Sequence, residues 1–588
     1  MTIVSLSPGW GSDVEFGGVR FASLGLDLPG KRVDETAGLL LRGDYRGVGR
    51  DRIYEGVYAG SAKFAGMEKE LHIDSVAFTL SRIEAKPGFR DGGISTLNGT
   101  SAAPPASDPR AAAGAYPRYA TSGMSRRALP EGTNQPSQKN EGTSLGFSVR
   151  FLGAVLLNSH VMTLVKSPIS SSFRLLNYAF DTTKGTLTSI VHEYDDPPPP
   201  LSHARPMDLG KWEEKLDGIT GGKRYRGSVK FLIDGEDFFS ELIQSMEEAA
   251  DSVYVRINIF DTDDYAVRIA DLLRERSKEV EVKVLMCEMS SMLNGRQPPE
   301  SPVPENFTFP ASIKEYLERD SAVTVRPIAN PWFTSDHTKT IIIDRKRAFV
   351  GGMNIGREYR FDWHDMMVEL EGPVVGRLSK DFFRAWAHQG PAGDLGYAWA
   401  SLFRTESYRG KEHRDDYIDI RPLYTKTGDE EIYRAHIAAI REARRYIYIE
   451  NPYFTDDTML NELIKARRRG VDVRVILPSR TDSELMTSSN LLAANSMVRN
   501  GIRVFVYPGM THVKAAIFDG WACLGSANLN LLSMRLNQET NIGFSDPQTV
   551  NRLKRDLFEV DFNVSRELTG QRDVGLSHYI SEALLDLF

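Results

Sequence analysis

From residue 222 onward the apolar positions follow two alternating rhythms. SVKFLID (228–234), VYVRINIF (253–260) and VEVKVLM (280–286) alternate or run continuously apolar and predict strands. Between them, DFFSELIQSMEEAADS and DDYAVRIADLLRERSK repeat apolar residues every three to four positions and predict amphipathic helices. Strand and helix in alternation predict an α/β fold, a parallel or mixed sheet covered by helices. The same order returns as DEEIYRAHIAAIREARR, YIYIENPYF, DDTMLNELIKARRRG and VDVRVILP, so the chain carries an internal repeat with expected limits 222–405 and 406–588.

Upstream the pattern differs. Residues 1–205 hold short alternating segments at 52–58 and 70–80 and are expected to form a β-rich domain of unassigned role. Within it, 86–141 is crowded with Gly, Ala, Ser, Pro and Asn and predicts a flexible insertion. DDPPPP at 195–200 predicts a stiff connector, and 206–221 a linker. The run 151–165, FLGAVLLNSHVMTLV, is broken by Asn158, Ser159 and His160, and reads as buried core before it reads as a membrane-touching segment.

Composition narrows the function classes. A length of 588 residues requires several cores, since one core stops growing near roughly 250–300 residues. The 72 Lys and Arg against 79 Asp and Glu give a charge of −7, so no nucleic-acid partner is expected. Cys287 and Cys523 stand far apart with no metal-ligand spacing, and the histidines outside the motifs below, His364 among them, fall in none, so neither a metal nor a cofactor is assigned. Neither a basic-then-apolar leader nor an apolar run of about 18 residues occurs, which leads to the expectation of a cytoplasmic protein without a transmembrane helix.

The chemistry lies in a duplicated constellation. His337, Lys339 and Asp344 recur as His512, Lys514 and Asp519 at a constant offset of 175, and Gly351 and Asn354 recur as Gly525 and Asn528 at an offset of 174. An acid follows each Asn by 11 residues, Asp365 in one copy and Glu539 in the other. Residues two apart on a strand share a face, so each His projects beside its Lys. Asp519-Gly520 is a hairpin signal whose ladder would place Lys514 opposite Gly525 and return Ser526 and Asn528 to the neighbourhood of His512. Asp519 then sits at the turn, which suggests an orienting or structural role. Two imidazoles and two ammoniums around one cavity suit a phosphodiester. The lysines neutralise phosphate oxygens, one His attacks phosphorus and the other protonates the leaving oxygen, while Asp365 and Glu539 fix the imidazole tautomers. A lone His-x-Lys is usually a solvated strand face; duplication at constant spacing favours catalysis.

HTKTIIID and HVKAAIFD, each followed by G[GS]xN, resemble the HxKxxxxD signature of the phospholipase D superfamily. FLIDGEDFFSELIQSMEEAADSVYV and HVKAAIFDGWACLGSANLNLLSMRLNQETNIGF are most similar to bacterial cardiolipin synthases and related phosphatidyltransferases. The resemblance covers about 222–588. It implies two homologous α-β-α sandwich domains in pseudo-two-fold arrangement, with His337, Lys339, Asp344, His512, Lys514 and Asp519 as the catalytic set. It further implies a phosphohistidine on His337, with His512 as acid and then base, and phosphate binding by Lys339, Lys514, Asn354, Asn528 and Ser526. The implied substrate is a phospholipid met at a peripheral membrane surface, without a metal, for transfer to a lipid alcohol or hydrolysis to phosphatidic acid. A nuclease of the same superfamily and a non-catalytic lipid-binding scaffold are the alternatives. The oligomeric state is open.

Overall fold

The computed structural model describes strands between residues 20 and 81, then residues 161–176, 194, 196–295, 299–329, 334–426 and 428–575. The chain forms two compact units, Met1–Gln135 and Pro136–Phe588. In the first, β1 (Arg20–Ala22), β2 (Gly25–Leu26), β3 (Leu39–Arg50), β4 (Ile53–Phe64) and β5 (Leu71–Ser81) make an antiparallel sheet in the order β2-β1-β3-β4-β5. The insertion expected at 86–141 lies outside the described residues.

The second unit contains the repeat. Its first half supplies β6 (Tyr225–Ile233), β7 (Ser252–Ile257), β8 (Glu281–Met286), β9 (Thr324–Pro327), β10 (Thr340–Ile343), β11 (Arg347–Gly351) and β12 (Met366–Glu371). The second half supplies β13 (Ile418–Lys426), β14 (Asp429–Glu430), β15 (Tyr446–Glu450), β16 (Asp472–Pro478), β17 (Arg503–Tyr507), β18 (Ala515–Phe518), β19 (Trp521–Gly525), β20 (Glu539–Phe544) and β21 (Arg566–Glu567). The spatial orders match position for position, β6-β12-β11-β10-β7-β8-β9 against β13-β20-β19-β18-β15-β16-β17. β7, β8 and β9 run parallel, as do β15, β16 and β17, and the remaining neighbours pair antiparallel, so each half-sheet is mixed. The halves join edge to edge where β13 pairs with β6, Ile418 opposite Gly227 and Ile420 opposite Tyr225.

Strand alternation sorts the apolar side chains into layers. Ile341 and Ile343 of β10 enter the helix-covered core of the first half, and Ala516 and Phe518 of β18 that of the second. Ile342, Ala515 and Ile517 face the opposite way into a shared core that draws on both halves. Both faces are therefore buried, which is why these strands read as near-continuous apolar runs.

Two segments differ from expectation. The stretch expected as a linker carries the helix Leu209–Thr220, capped by Asp208, with Trp212 edge-on to Trp521 at 5.0 Å in the second half's core. Of the run expected to be buried core, 151–160 lies outside the described residues, while Val161, Met162, Leu164 and Val165 are exposed. Thr163 takes the buried position, because the helix there turns its polar side inward. No helix among the described residues is long and apolar enough to cross a membrane.

The motif aspartates anchor the hairpins. β18 and β19 pair as the Asp-Gly signal predicts, Ala515 opposite Leu524 and Phe518 opposite Trp521, and Asp344 and Asp519 occupy the turns with φ of +52°. Asp519 accepts hydrogen bonds from the backbone N–H of Met207, Arg444, Arg445 and Tyr446, and Asp344 from those of Ala250, Asp251 and Ser252. Each carboxylate thus satisfies the donors at the start of the strand beside its hairpin. Asp519→Asn removes the charge and turns a donor toward these N–H groups, for an expected loss of about 2–3 kcal/mol. Thermal unfolding should register this as a drop in Tm of roughly 2–3 °C, given the size of the unit.

Candidate active site

His337 and Lys339 lie in an extended segment just before β10, and His512 and Lys514 in its counterpart before β18. Their backbone partners come from the opposite half. The His337 N–H donates to the Gln538 carbonyl at 2.8 Å and the Gln538 N–H to the Ser335 carbonyl; the His512 N–H donates to the His364 carbonyl at 2.6 Å and the His364 N–H to the Met510 carbonyl. Each motif is thereby stitched across the repeat, one step before its strand begins.

The acids cross over as well. His337 Nδ1 lies 3.1 and 3.2 Å from the Glu539 oxygens and 3.0 Å from the Ser526 carbonyl, while His512 Nδ1 lies 2.6 Å from Asp365 Oδ2. Each half thus orients the other half's histidine. With only acceptors beside Nδ1 of His337, that nitrogen carries the proton and Nε2 keeps its lone pair.

Lys339 and Lys514 are buried, each donating from Nζ to its own histidine's carbonyl at 2.7 and 2.6 Å. Burial pulls Lys339 down to about 7 and Lys514 to about 8, against the opposing attraction of Glu539 and Asp365. His337 is lowered by burial and Lys339, and His512 well below the ordinary value by burial, Lys514, Lys339 and His337. Burial raises Asp365 to about 7 despite Lys514. These mutual influences join both His-Lys pairs and both acids in one electrostatically coupled site.

The glycine and serine of the motifs fit their acids. A Cβ at Gly352 would lie 2.3 Å from Asp365 Oδ1, so only glycine leaves room for that carboxylate. Its counterpart Ser526 donates its hydroxyl to Glu539 Oε2 at 2.5 Å and accepts from the Thr540 N–H. Ser526 therefore stands beside Glu539 and His337, and its hydroxyl is engaged. Asn354 accepts from the Ile259 N–H and donates to the Tyr359 hydroxyl, whose ring centre is 5.7 Å from that of His512. Asn528 is buried with an unpartnered Oδ1. Asp344 and Asp519 do not join the cavity: five residues of extended chain carry them about 16 Å from the lysines.

Single motifs did not reveal several residues. Tyr359, Trp363 and Tyr453 wall His512 at 5.7, 5.4 and 6.3 Å, which gives the NPYF segment a packing role beside the site; the NPWF segment at 330–333 lies outside the described residues. Arg256 of β7 is buried between Asp336 and Asp381 and also donates to Gln538. The equivalent position on β15 is Glu450, because Thr340 faces Arg256 as Ala515 faces Glu450. There the cation comes from His364, whose Nδ1 meets Asp234 at 2.6 Å and whose Nε2 meets Asp561 at 3.2 Å. Although burial opposes it, those hydrogen bonds and Glu450 push His364 up to about 11. Among the described residues this is the one cluster with metal-ligand types within 4.8 Å of one another, and both ring nitrogens are already engaged. The arginines of the helices that end near 442 and 468 are held within the fold: Arg467 donates to the Gly501 carbonyl, Arg469 to that of Ile440, and Arg441 pairs with Glu462.

A duplicated mixed sheet that exchanges histidines and acids across its centre is the arrangement of a phospholipase D-like domain pair. The family model described as "Cardiolipin synthase, PLD-like domain" matches residues 242–386 and 436–560. The chain belongs to the cardiolipin synthase family of phospholipase D-like proteins. It is 30% identical over 363 residues to cardiolipin synthase A of Pseudomonas entomophila (58% of this chain, 70% of the relative), and 28% identical over 386 residues to cardiolipin synthase 1 of Bacillus anthracis (63% and 72%). A solved phosphatidylserine synthase from Haemophilus influenzae aligns with 64% of this chain and 96% of its own at 14% identity and a TM-score of 0.48.

Two outcomes follow from the geometry. The lysines bind an anion only when protonated, and the protonated fraction is full below their values and lost above them. The inhibition constant of tungstate, a phosphate stand-in, should be flat below about pH 6 and rise from about pH 7, by up to about tenfold per pH unit for each lysine lost. His364 acts through the His512 backbone, as a positioning residue. His364→Gln should lower kcat about a hundredfold with little change in KM, and His364→Arg, which copies the cation of the Arg256 site, should recover most of it.

Proposed function

We propose that the chain transfers phosphatidyl groups between glycerophospholipid headgroups by double displacement at the joint His-Lys site. The observation that carries this reading is the crossed pair of hydrogen bonds, His337 to Glu539 and His512 to Asp365, which readies one imidazole from each half.

His337 is the nucleophile. Its Nδ1–H is held by two acceptors, so the Nε2 lone pair attacks phosphorus, and the bond from phosphorus to the headgroup oxygen breaks. His512 gives its Nε2 proton to that oxygen. The two lysines depress the proton affinity of His512 in the free site; an anionic phosphate between them offsets their charge and lets the imidazolium form against Asp365. In the second step neutral His512 takes the proton of the incoming alcohol, whose oxygen attacks phosphorus and releases His337. Lys339 and Lys514 carry the nonbridging oxygens throughout, Asn354 and Asn528 complete the pocket, and Glu539 and Ser526 position the nucleophile. The substrate is drawn from a membrane surface, which the enzyme meets peripherally.

Incubation with headgroup-labelled phosphatidylglycerol tests the reaction: diphosphatidylglycerol plus free glycerol is expected, and phosphatidic acid as sole product would overturn transfer in favour of hydrolysis. Trapping tests the assignment. His512→Ala should accumulate an acid-labile phosphoryl adduct at His337, while His337→Ala forms none and loses about 10³-fold or more in kcat.

A further inference from the structure

One part of the molecule has its polarity inverted. In the helical stretch 162–176, which breaks at Ser167, the buried positions are Thr163, Ser167, Ser171 and Arg174, while Leu164, Val165, Ile169, Phe173 and Leu176 face outward. Val165, Ile169 and Leu176 are 71, 68 and 67% exposed. Against it lies the helix Gly393–Phe403, which buries Gly393 and Ala400 and exposes Leu395, Ala398, Trp399, Leu402 and Phe403 at helical spacing on one side. Apart from Asp394 at its start this helix has no charged residue, and Leu395 and Leu402 are 80 and 77% exposed. A water-facing helix shows the opposite arrangement, and a contiguous apolar face of this kind marks an interaction surface.

The two helices are locked together. The backbone N–H groups of Ile169 and Ser170 donate to Asp394 Oδ2 at 2.9 and 3.3 Å, and the Ser170 hydroxyl meets His388 Nε2 at 3.2 Å. Gly393 adopts φ of +46°, and a Cβ there would fall 1.8 Å from the Lys166 carbonyl oxygen, so the crossing depends on glycine. The face is thus a built surface.

Its place and its rim indicate the occupant. On the inner side, the buried Arg174 interacts with Asp336, the residue before His337, which ties the face to the segment that carries that histidine. At its edge Lys283, Arg326 and Arg404 gather closely enough to influence one another, with Arg404 over the Phe383 ring at 4.3 Å and Arg326 over Trp386 at 4.2 Å. An apolar face with a tryptophan, bordered by cations and tied to a site for phosphodiesters, is complementary to a leaflet of anionic phospholipid: acyl chains meet the leucines and phenylalanines, and headgroup phosphates meet the rim.

We infer that the paired faces of 162–176 and Gly393–Phe403 form the surface by which the enzyme seats on an anionic bilayer, presenting the catalytic site to lipid headgroups. This inference rests on the phospholipid reading above and names the surface that serves it.

The test is flotation of the full-length protein with vesicles of equal parts phosphatidylglycerol and phosphatidylcholine, and with phosphatidylcholine alone. Wild-type protein should float with the anionic vesicles, and its tryptophan emission should shift to the blue in a way that Trp399→Phe abolishes. The combined substitution Leu395→Ser, Trp399→Ser and Leu402→Ser, and separately Ile169→Ser with Phe173→Ser, should each reduce partitioning at least about tenfold. Turnover of vesicle substrate should fall in proportion, while turnover of dihexanoyl phosphatidylglycerol below its micellar concentration stays within about twofold, which also reports that the variants fold. Variants that float like wild type, or a wild-type protein that does not float, would overturn the inference. So would a change in oligomeric state of the lipid-free variants with vesicle binding intact, which would assign the face to a second copy. If wild type bound vesicles but failed on the short-chain substrate, the catalytic reading would fall and the docking surface would stand.

Discussion

Everything at the centre of the second unit depends on an exchange: each half of the repeat supplies the carboxylate that holds the other half's histidine. The lysines create the need for it. Two buried ammonium groups repel one another and disfavour protonation of the two imidazoles, and burial disfavours every charge present. Glu539 and Asp365 make such a site sustainable, and because they cross over, neither half completes a site alone. The backbone hydrogen bonds from His337 to Gln538 and from His512 to His364 follow the same crossing, so the side chains are as rigid as the sheet that carries them.

The crossing also explains how two copies of one motif have become unequal. Asp365 is short and lies against Gly352, where no side chain fits; Glu539 is one methylene longer and leans on Ser526. A buried cation braces each histidine's flank, but Arg256 supplies it directly on one side, whereas Glu450 occupies that register on the other and His364 brings the charge from the segment before β12 in the opposite half. Equivalent charge balance is reached with different residues. The imidazoles therefore sit in different fields, His337 beside two acceptors and partly open, His512 walled by three aromatic rings. That inequality is what a nucleophile and a general acid require.

The duplication was legible because its parts are local. A two-residue spacing, an Asp-Gly turn and an alternating strand and helix rhythm each span fewer than twenty residues, and a constant offset reveals the second copy. The hairpin register of β18 and β19 follows from the turn alone. What was not legible involves partners far apart in sequence. Nothing in HTKTIIID indicates that its histidine is held from 202 positions downstream by Glu539, or that the Ser526 carbonyl meets that same histidine. The placement of Asp344 and Asp519 within a catalytic set misled for the opposite reason: they share a motif with the lysines but lie at the far end of a strand, where backbone donors claim them. At 161–165, the described end of the apolar run, composition misled, since apolar content points to a core unless the positions of Thr163, Ser167, Ser171 and Arg174 are read as the buried side.

Transfer rather than hydrolysis requires that water lose to a lipid alcohol at the phosphohistidine, and the protein has two means of arranging this. The site is already dry: the lysines, the acids and His512 are buried, and Tyr359, Trp363 and Tyr453 close the side on which a general base must work. On the docking inference, acyl chains pressed against the face formed by 162–176 and Gly393–Phe403 would add to this by excluding bulk water while the intermediate exists.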